Sequence, residues 1–388
     1  MNFEPDPAIA AFRAEVRDFL RERLPAEMAR RTLRGYHALK SDMVAWTRIL
    51  HARGWSAPHW PVEHGGPGWS PLQRHVFEEE CALAGAPPTC TSAFSLVAPV
   101  IYSFGSEAQK RRHLPPILRG DTFWGQGFSE PNAGSDLASL RTRAERDGDH
   151  YVVNGQKTWT TEGHYADWLF VLVRTDLEAK PQRGISFLLI DMTSPGVTTR
   201  PIKLISGKSP FCETFFDRVR VPRHQLVGEL NGGWTIAKYL LTHEREMIGA
   251  IGERSTPKPV GRHAVERLGR DESGRLSDGV LRAEIARFEV DEAAFRAWMR
   301  MAGEQARAGE AHGALSSALK YYGAELNKRR WELMMAVGGA DALEWEGERS
   351  QEGTAARTWL RTKANSIEGG TSEVQLNVVS KRILGLPG

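Results

Sequence analysis

Three short segments and one carboxylate combine residue types that could do chemistry. Ser129–Asp136, SEPNAGSD, sets Pro131, Asn132 and Gly134 among polar residues. It fits a surface turn capped by Ser and Asp, and equally a loop whose backbone N–H groups meet an anionic or planar ligand. Asn154–Gly163, NGQKTWTTEG, carries Trp159, Thr160 and Thr161. It fits a strand with a buried Trp, or a site where Trp159 lies against a planar ring and a Thr hydroxyl meets a ring heteroatom. Ser366–Pro387 holds glycines followed by Thr371, Ser372 and Glu373. This reads as a loop and N-cap before an amphipathic terminal helix, or as an interior loop presenting backbone donors to a ligand. Glu244, in IAKYLLTHEREMIGAIG, shares a helical face with Leu240, Leu241, Met247 and Ile248. A carboxylate in an apolar stripe is either paired structurally with an Arg or Lys or held there for a task. Glu246 points to another face and is the weaker candidate.

Other familiar sites are missing from the sequence. No GxGxxG follows a strand and no GxxxxGK[ST] occurs, which argues against Rossmann and P-loop nucleotide sites. No HExxH or GxSxG occurs and the 12 His are scattered, so neither a metal centre nor a serine hydrolase is expected. Lys+Arg is 51 and Asp+Glu 48, a net charge of +3 over 388 residues, which makes no case for nucleic acid or an anionic membrane as partner. The three cysteines, Cys81, Cys90 and Cys212, form no CxxC pair and predict a reducing, cytoplasmic setting. No apolar run reaches about 18 residues, so no membrane span is expected. The acidic start, MNFEPDPAIA, has no apolar stretch after it and does not read as a secretory signal. The 12 Trp fit aromatic-rich interfaces or a planar cofactor, with plain core packing the default reading.

The elements that must position these residues fall into three parts. Residues 1–120 read as helices, with Ala11, Val16, Phe19 and Leu20 and then Met43, Trp46, Ile49 and Leu50 at helical spacing. A Gly/Pro/Trp loop, Gly54–Pro71, interrupts them, and further helices start near Leu72 and Ser106. Residues 121–235 form β-rich runs between turn residues, and Asn154-Gly155 predicts a hairpin turn. From 236 to 388 helical periodicity returns. It is broken over Ser255–Gly274, then carried by two long helices near Leu281–Ala308 and Glu310–Val337. The fold class is α+β: an N-terminal helical domain, a middle antiparallel, barrel-like β domain and a C-terminal helical bundle.

At the three loop segments taken together the sequence closely resembles the acyl-CoA dehydrogenase family, over residues 5 to 387. The family pattern has a TEPxAGSD-like loop, a W-x-[TS] element and a GGTSEIQ-like loop, in that order, as here. Gly105–Gly120 resembles the helix that leads into the family's β domain, and Asp217–Gly228 the segment that closes it. The resemblance implies FAD, bound non-covalently between the β domain and the helical parts. Phe128, Ser129, Gly134 and Ser135 would line flavin and substrate. Trp159 would stack on the flavin and Thr161 would hydrogen-bond near N5. Thr371 and Glu373 would contact the ribityl or phosphate part, and the turn at Gly338-Gly339 would reach the FAD of a neighbouring subunit. The implied reaction is α,β-dehydrogenation of an acyl-CoA, with the hydride passing to flavin N5 and the electrons to an electron-transfer flavoprotein.

The resemblance also locates the base. Removing the α proton needs a carboxylate in a dry pocket that raises its pKa toward neutrality. Many members place that Glu directly before the Gly-Thr of the C-terminal loop. Here the position is Gly369, and Glu368 comes one residue too early. Another branch carries Glu-Arg on the first helix after the β domain, which Glu244-Arg245 matches. Glu244 is then the expected base, Arg245 a contact for the CoA end, and Gly369 the residue that leaves room opposite. An Arg-x-x-Phe-Gly element typical of homotetramers is missing from Arg267–Phe288. The chain in this respect resembles the large subunits of bacterial two-subunit enzymes of the pimeloyl-CoA and steroid-side-chain types. The expected assembly is a homo-oligomer or an α2β2 complex with a homologous chain. An acyl-CoA oxidase using O₂ and a catalytically silent subunit are the alternative activities.

Overall fold

A computed structural model describes residues 6–33, 38–249, 259–307 and 314–387; the side chains of 243–249, 303, 304, 306 and 307 lie outside the description. The chain divides into two compact units, one of Met1–Lys203 with Ser209–Leu241 and one of Leu204–Lys208 with Thr242–Gly388.

The first unit opens with helices whose ends are written in the sequence. In α1 (Pro7–Arg23) the Asp6 side chain accepts from the Ala8 N–H and Pro7 takes the first helical position, where no N–H is needed. In α4 (Pro71–Ala84) and α6 (Glu107–Arg119), Ser70 with Gln73 and Ser106 with Gln109 form capping boxes. Left-handed Gly85 and Gly120 stop the two helices. The Gln109 amide also donates to the carbonyls of His224 and Leu226, both at 2.9 Å, which ties α6 to the end of the sheet. Phe12, Trp46, Trp55, Val76 and Phe77 form an aromatic-rich core among these helices. The expectation that tryptophans are core residues holds for Trp46, Trp55, Trp60, Trp124 and Trp331.

The sheet is built from β1 (Trp124–Gly127), β2 (Arg143–Asp147), β3 (His150–Thr161), β4 (Trp168–Arg174), β5 (Ile185–Asp191), β6 (Val197–Ile202), β7 (Phe211–Pro222) and β8 (Leu226–Val227). Its order is β6-β7-β3-β2-β4-β5-β8, with β1 added in parallel beside β4. The ladder is open and mixed, because β1 and β2 both meet β4 in the parallel sense while the other pairs are antiparallel. β4 and β5 read as unbroken apolar runs because both faces are covered. Phe170, Leu172, Phe187 and Leu189 face one core, and Leu169, Val171, Leu188 and Ile190 face another.

Asn154-Gly155 is not a hairpin turn. It lies inside β3, where the register with β7 shifts between Val153 and Gly155, and the turn joining β2 to β3 is at Gly148. Gly155 has φ 148°, and a Cβ there would lie 2.6 Å from Thr142 Oγ1 and 2.7 Å from Thr142 Cα. Glycine is needed for a bulge and a close backbone approach, demands that leave the same dipeptide signature as a turn.

In the second unit the main helices are Gly279–Arg307 and Leu315–Gly338, followed by Thr354–Thr362 and the short Ser372–Val378. The stretch expected to break the helices contains one of its own, Val260–Leu268. Val260, Ala264, Phe288, Leu326 and Val337 share this unit's core.

Candidate functional site

The loop Ser129–Asp136 begins where β1 ends. Glu130 and Ala133 exchange backbone hydrogen bonds of 3.0 Å each, which closes a tight turn over Pro131 and Asn132. The Glu130 side chain turns inward. Its carboxylate accepts from the N–H groups of Arg141 (2.7 Å) and Thr142 (2.8 Å) and from Lys157 Nζ (2.8 Å). Burial alone would push Glu130 up, but the Lys157 charge and these donors outweigh it and hold the carboxyl below its ordinary range. Lys157 is fully buried and its Nζ also donates to the Phe128 carbonyl at 3.0 Å. Burial pushes its ammonium down to about 8, against the attraction of Glu130. Arg174 closes the far side, donating to the carbonyls of Ala138 (2.6 Å) and Leu140 (3.1 Å). Within this frame Gly134 and Ser135 are exposed and Ser129 is half-buried. Phe128 is different: its ring packs in the core against Phe170 and Phe187, at 5.8 and 6.2 Å between centroids. The ring is therefore committed to the core, and the backbone of Phe128 is what adjoins the loop.

Strand β3 carries the second segment beside the first, joined by the Thr158 N–H donating to the Ser129 carbonyl at 2.9 Å. The strand is irregular between Lys157 and Thr160. There Trp159 adopts φ 60° and leaves 55% of its surface exposed. A left-handed backbone costs a non-glycine residue about 1–2 kcal/mol, and an outward Trp adds the cost of wet apolar surface. Such a combination marks functional positions. The ring touches Phe211 only edge-on, at 6.1 Å between centroids, so the reading of Trp159 as a buried strand residue fails. Thr160 is the buried member of the pair, bonded to Thr214 at 3.0 Å, and Thr161 is half-buried.

The third segment is in the second unit. Gly369 and Gly370 have φ 63° and 89°, and the Thr371 hydroxyl caps Ser372–Val378 by accepting from the Val374 N–H at 3.2 Å. Lys320, fully buried, donates to the carbonyls of Asn365 (2.9 Å) and Gly370 (2.7 Å), and burial pushes its ammonium down. Gln375 donates to the Gly369 carbonyl at 3.0 Å. Glu368 is tied on both carboxylate oxygens, to Asn365 Nδ2 at 2.5 Å and Arg361 Nη2 at 2.7 Å. Glu373 is exposed, and its bond to its own backbone N–H and to Thr371 hold it below the ordinary range. Gly338-Gly339 ends the helix Leu315–Gly338, and the Gly338 carbonyl accepts from Arg267 at 3.1 Å.

Glu244 and Arg245 fall on the helix Gly233–Gly249, as periodicity predicts, but their side chains lie outside the described residues. The structure thus gathers Ser129, Gly134, Ser135, Trp159 and Thr161 in the first unit, and Gly369, Thr371 and Glu373 on one loop of the second. Sequence reasoning missed Glu130, Lys157, Arg174 and Lys320, which hold these loops. The available signal was strand alternation, since Lys157 has the inward parity of Tyr151 and Val153. Among the described residues no group of three or more His, Cys, Asp or Glu could hold a metal, and no helix is long and apolar enough to cross a membrane.

Comparison with known proteins gives the family. Models of the N-terminal, middle and C-terminal domains of acyl-CoA dehydrogenase match residues 6–121, 125–219 and 231–384. The chain is 36% identical over 386 residues to acyl-CoA dehydrogenase IpdE1 of Mycobacterium tuberculosis, covering 98% of each chain. The solved Tcur3481-Tcur3483 steroid ACAD superposes with TM-score 0.87 at 31% identity, covering 100% of both chains. The ChsE4-ChsE5 complex from Mycobacterium tuberculosis gives TM-score 0.81 at 32% identity, again covering 100% of both chains. With three domain models in order and relatives matched end to end, the chain belongs to the acyl-CoA dehydrogenase family and is a flavin-dependent oxidoreductase acting on acyl-CoA.

Proposed function

We propose that this enzyme removes the α proton of its acyl-CoA through Glu244 and forms the trans-2-enoyl-CoA. Bound FAD supplies the hydride acceptor for the β carbon. The residues present fit that cofactor. Trp159 offers an exposed ring face beside an open loop containing Gly134. Ser372 Oγ, one residue past Thr371, is buried with no hydrogen-bond partner among the described residues. Ser129, Gly134, Ser135, Trp159 and Thr161 would hold the flavin end, Thr371 and Glu373 would contact a ribityl or phosphate part, and the Gly338-Gly339 turn would reach the FAD of a neighbouring subunit. Ser135, Arg245 and Gly369 would meet the thioester and its CoA.

The observation that carries the assignment of the base is the state of the C-terminal loop. Position 369 is a glycine with φ 63°, without a side chain and in a backbone conformation that disfavours one. The neighbouring Glu368 is clasped by Arg361 and Asn365, so both of its oxygens already accept hydrogen bonds. Glu244, which the sequence places at helical spacing from Leu240, Leu241, Met247 and Ile248, is then the favoured carboxylate over Glu246. Glu244→Gln is expected to lower turnover by roughly 10²–10⁴ while FAD stays bound, with Glu368→Gln retaining most activity. The reverse ranking would move the base to Glu368.

Electrons would pass to an electron-transfer flavoprotein, which is tested by anaerobic turnover with that acceptor and, in air, by product forming without a matching amount of peroxide. The three cysteines are free thiols, which supports a cytoplasmic setting. The solved neighbours named as pairs support a heteromeric assembly, for which we propose α2β2 with a homologous chain. Full FAD occupancy and activity of the chain purified alone would favour the homo-oligomer.

A further inference from the structure

We infer that Lys157 is a positioning residue of the flavin site: its ammonium, paired with Glu130, fixes the loop Ser129–Asp136 against the Trp159 bulge. The inference rests on the proposed placement of the flavin against Trp159 and this loop.

Four observations carry it. Lys157 is fully buried, a place where an unpaired ammonium is very costly. Both of its partners, the Phe128 carbonyl and the Glu130 carboxylate, flank Ser129. Glu130 in turn accepts from the N–H groups of Arg141 and Thr142, so one carboxylate joins the start of the loop, the chain just before β2, and β3. The adjoining residue, Thr158, bonds Ser129 through its backbone, and the next, Trp159, is the strained and exposed one. Lys157 therefore stands two residues from the ring that would meet the cofactor and reaches behind the loop that would meet its other edge.

A buried ion pair is a poor way to gain stability, because apolar residues of similar volume usually serve as well. What the pair gives instead is direction: an ammonium with two fixed acceptors sets the spacing between two backbones more sharply than apolar packing does. A purely structural role predicts that replacing both charges together leaves the site unaffected.

The test is the double variant Lys157→Met/Glu130→Gln, with Glu130→Gln alone and Trp159→Ala as companions. Thermal melting of the apoprotein, FAD affinity from flavin fluorescence, and anaerobic flavin bleaching by a panel of acyl-CoAs are measured. The double variant is expected to melt within a few degrees of the parent yet bind FAD roughly tenfold more weakly. Its bleaching rate at saturating acyl-CoA should fall about tenfold with KM little changed, the pattern of lost orientation. Glu130→Gln alone strands the buried ammonium, so it should melt lower than the double variant and move the same two readouts at least as far. If neither folds, Glu130→Asp, which keeps the charge but shortens its reach, decides the matter by the same two readouts. Parental FAD affinity and bleaching in either folded variant overturns the inference when Trp159→Ala weakens FAD. If Trp159→Ala also leaves FAD affinity unchanged, the placement of the flavin is what has failed.

Discussion

Replacing Trp159 by glycine separates a cofactor platform from a piece of the core. The residue leaves 55% of its surface exposed and meets Phe211 only edge-on. A Trp side chain presents about 250 Å² in all, so about 140 Å² remains to be covered by a ligand. At about 25 cal/mol per Å² this is worth about 3.5 kcal/mol, or roughly 300-fold in Kd, as an upper bound. The apoprotein should respond quite differently. Trp159→Gly loses an aromatic edge worth about 0.5–1.5 kcal/mol, and relieves a left-handed backbone that costs about 1–2 kcal/mol. The greater freedom of glycine in the unfolded chain costs up to about 1 kcal/mol. The part of Trp159 already covered, about 110 Å², adds at most about 3 kcal/mol of lost burial. The net destabilisation of the apoprotein is thus expected to be about 2 kcal/mol, whereas truncating a core Trp costs about 3–5 kcal/mol. Urea unfolding of the apoprotein and FAD titration by fluorescence give the two numbers. An apoprotein destabilised by about 3 kcal/mol or more, with FAD affinity intact, would refute the reasoning, because Trp159 would then belong to the core.

The other expectations follow from groups held away from water. His113 is buried in edge-to-face contact with Trp124 and Trp168, at 5.3 and 4.8 Å between centroids, and burial pushes its pKa down to about 4. Its folded pKa lies below the unfolded value, so its stabilising effect is complete above pH ~6.5 and is lost as pH falls toward ~4. The slope is about 1.4 kcal/mol per pH unit. Urea midpoints at pH 7 and 5 should show this slope in the parent and much less of it in His113→Leu. Lys320→Met would orphan the buried carbonyls of Asn365 and Gly370, costing about 2–5 kcal/mol. Its melting temperature should drop accordingly, with Lys320→Leu no better. Glu244→Gln and Glu368→Gln, assayed side by side by anaerobic flavin bleaching, rank the two carboxylates as base.

Much of the fold could be read locally, because the signals concerned are local. Ser70-x-x-Gln73 and Ser106-x-x-Gln109 mark helix starts through bonds made within four residues. The long helices Gly279–Arg307 and Leu315–Gly338 lie close to their expected spans for the same reason. Gly155 shows where locality fails: the demand for glycine came from Thr142, thirteen residues away across the sheet, so a turn signature marked a bulge. The loops proposed to hold the cofactor were legible as motifs, but what fixes them was not. Lys157, Glu130 and Lys320 read as ordinary surface charges, and their burial appears only when strand parity and partners distant in sequence are combined. Phe128 differs in the opposite sense, since Gly134 and Ser135 of the same motif are exposed while its own ring closes the core.

The segment Leu204–Lys208, between β6 and β7, belongs to the second unit although its flanking strands belong to the first. There Arg357 donates to the Ser206 carbonyl at 2.9 Å and to the Trp345 carbonyl at 3.2 Å, and its guanidinium lies 3.9 Å from the Trp345 ring centroid. The polypeptide consequently passes from one unit to the other three times rather than once. No single scissile position divides this enzyme into two autonomous modules. A fragment ending at Leu241 keeps Ser206 but lacks the arginine that anchors it, so domain shuffling or circular permutation at that junction must transplant the five-residue strap along with its acceptor.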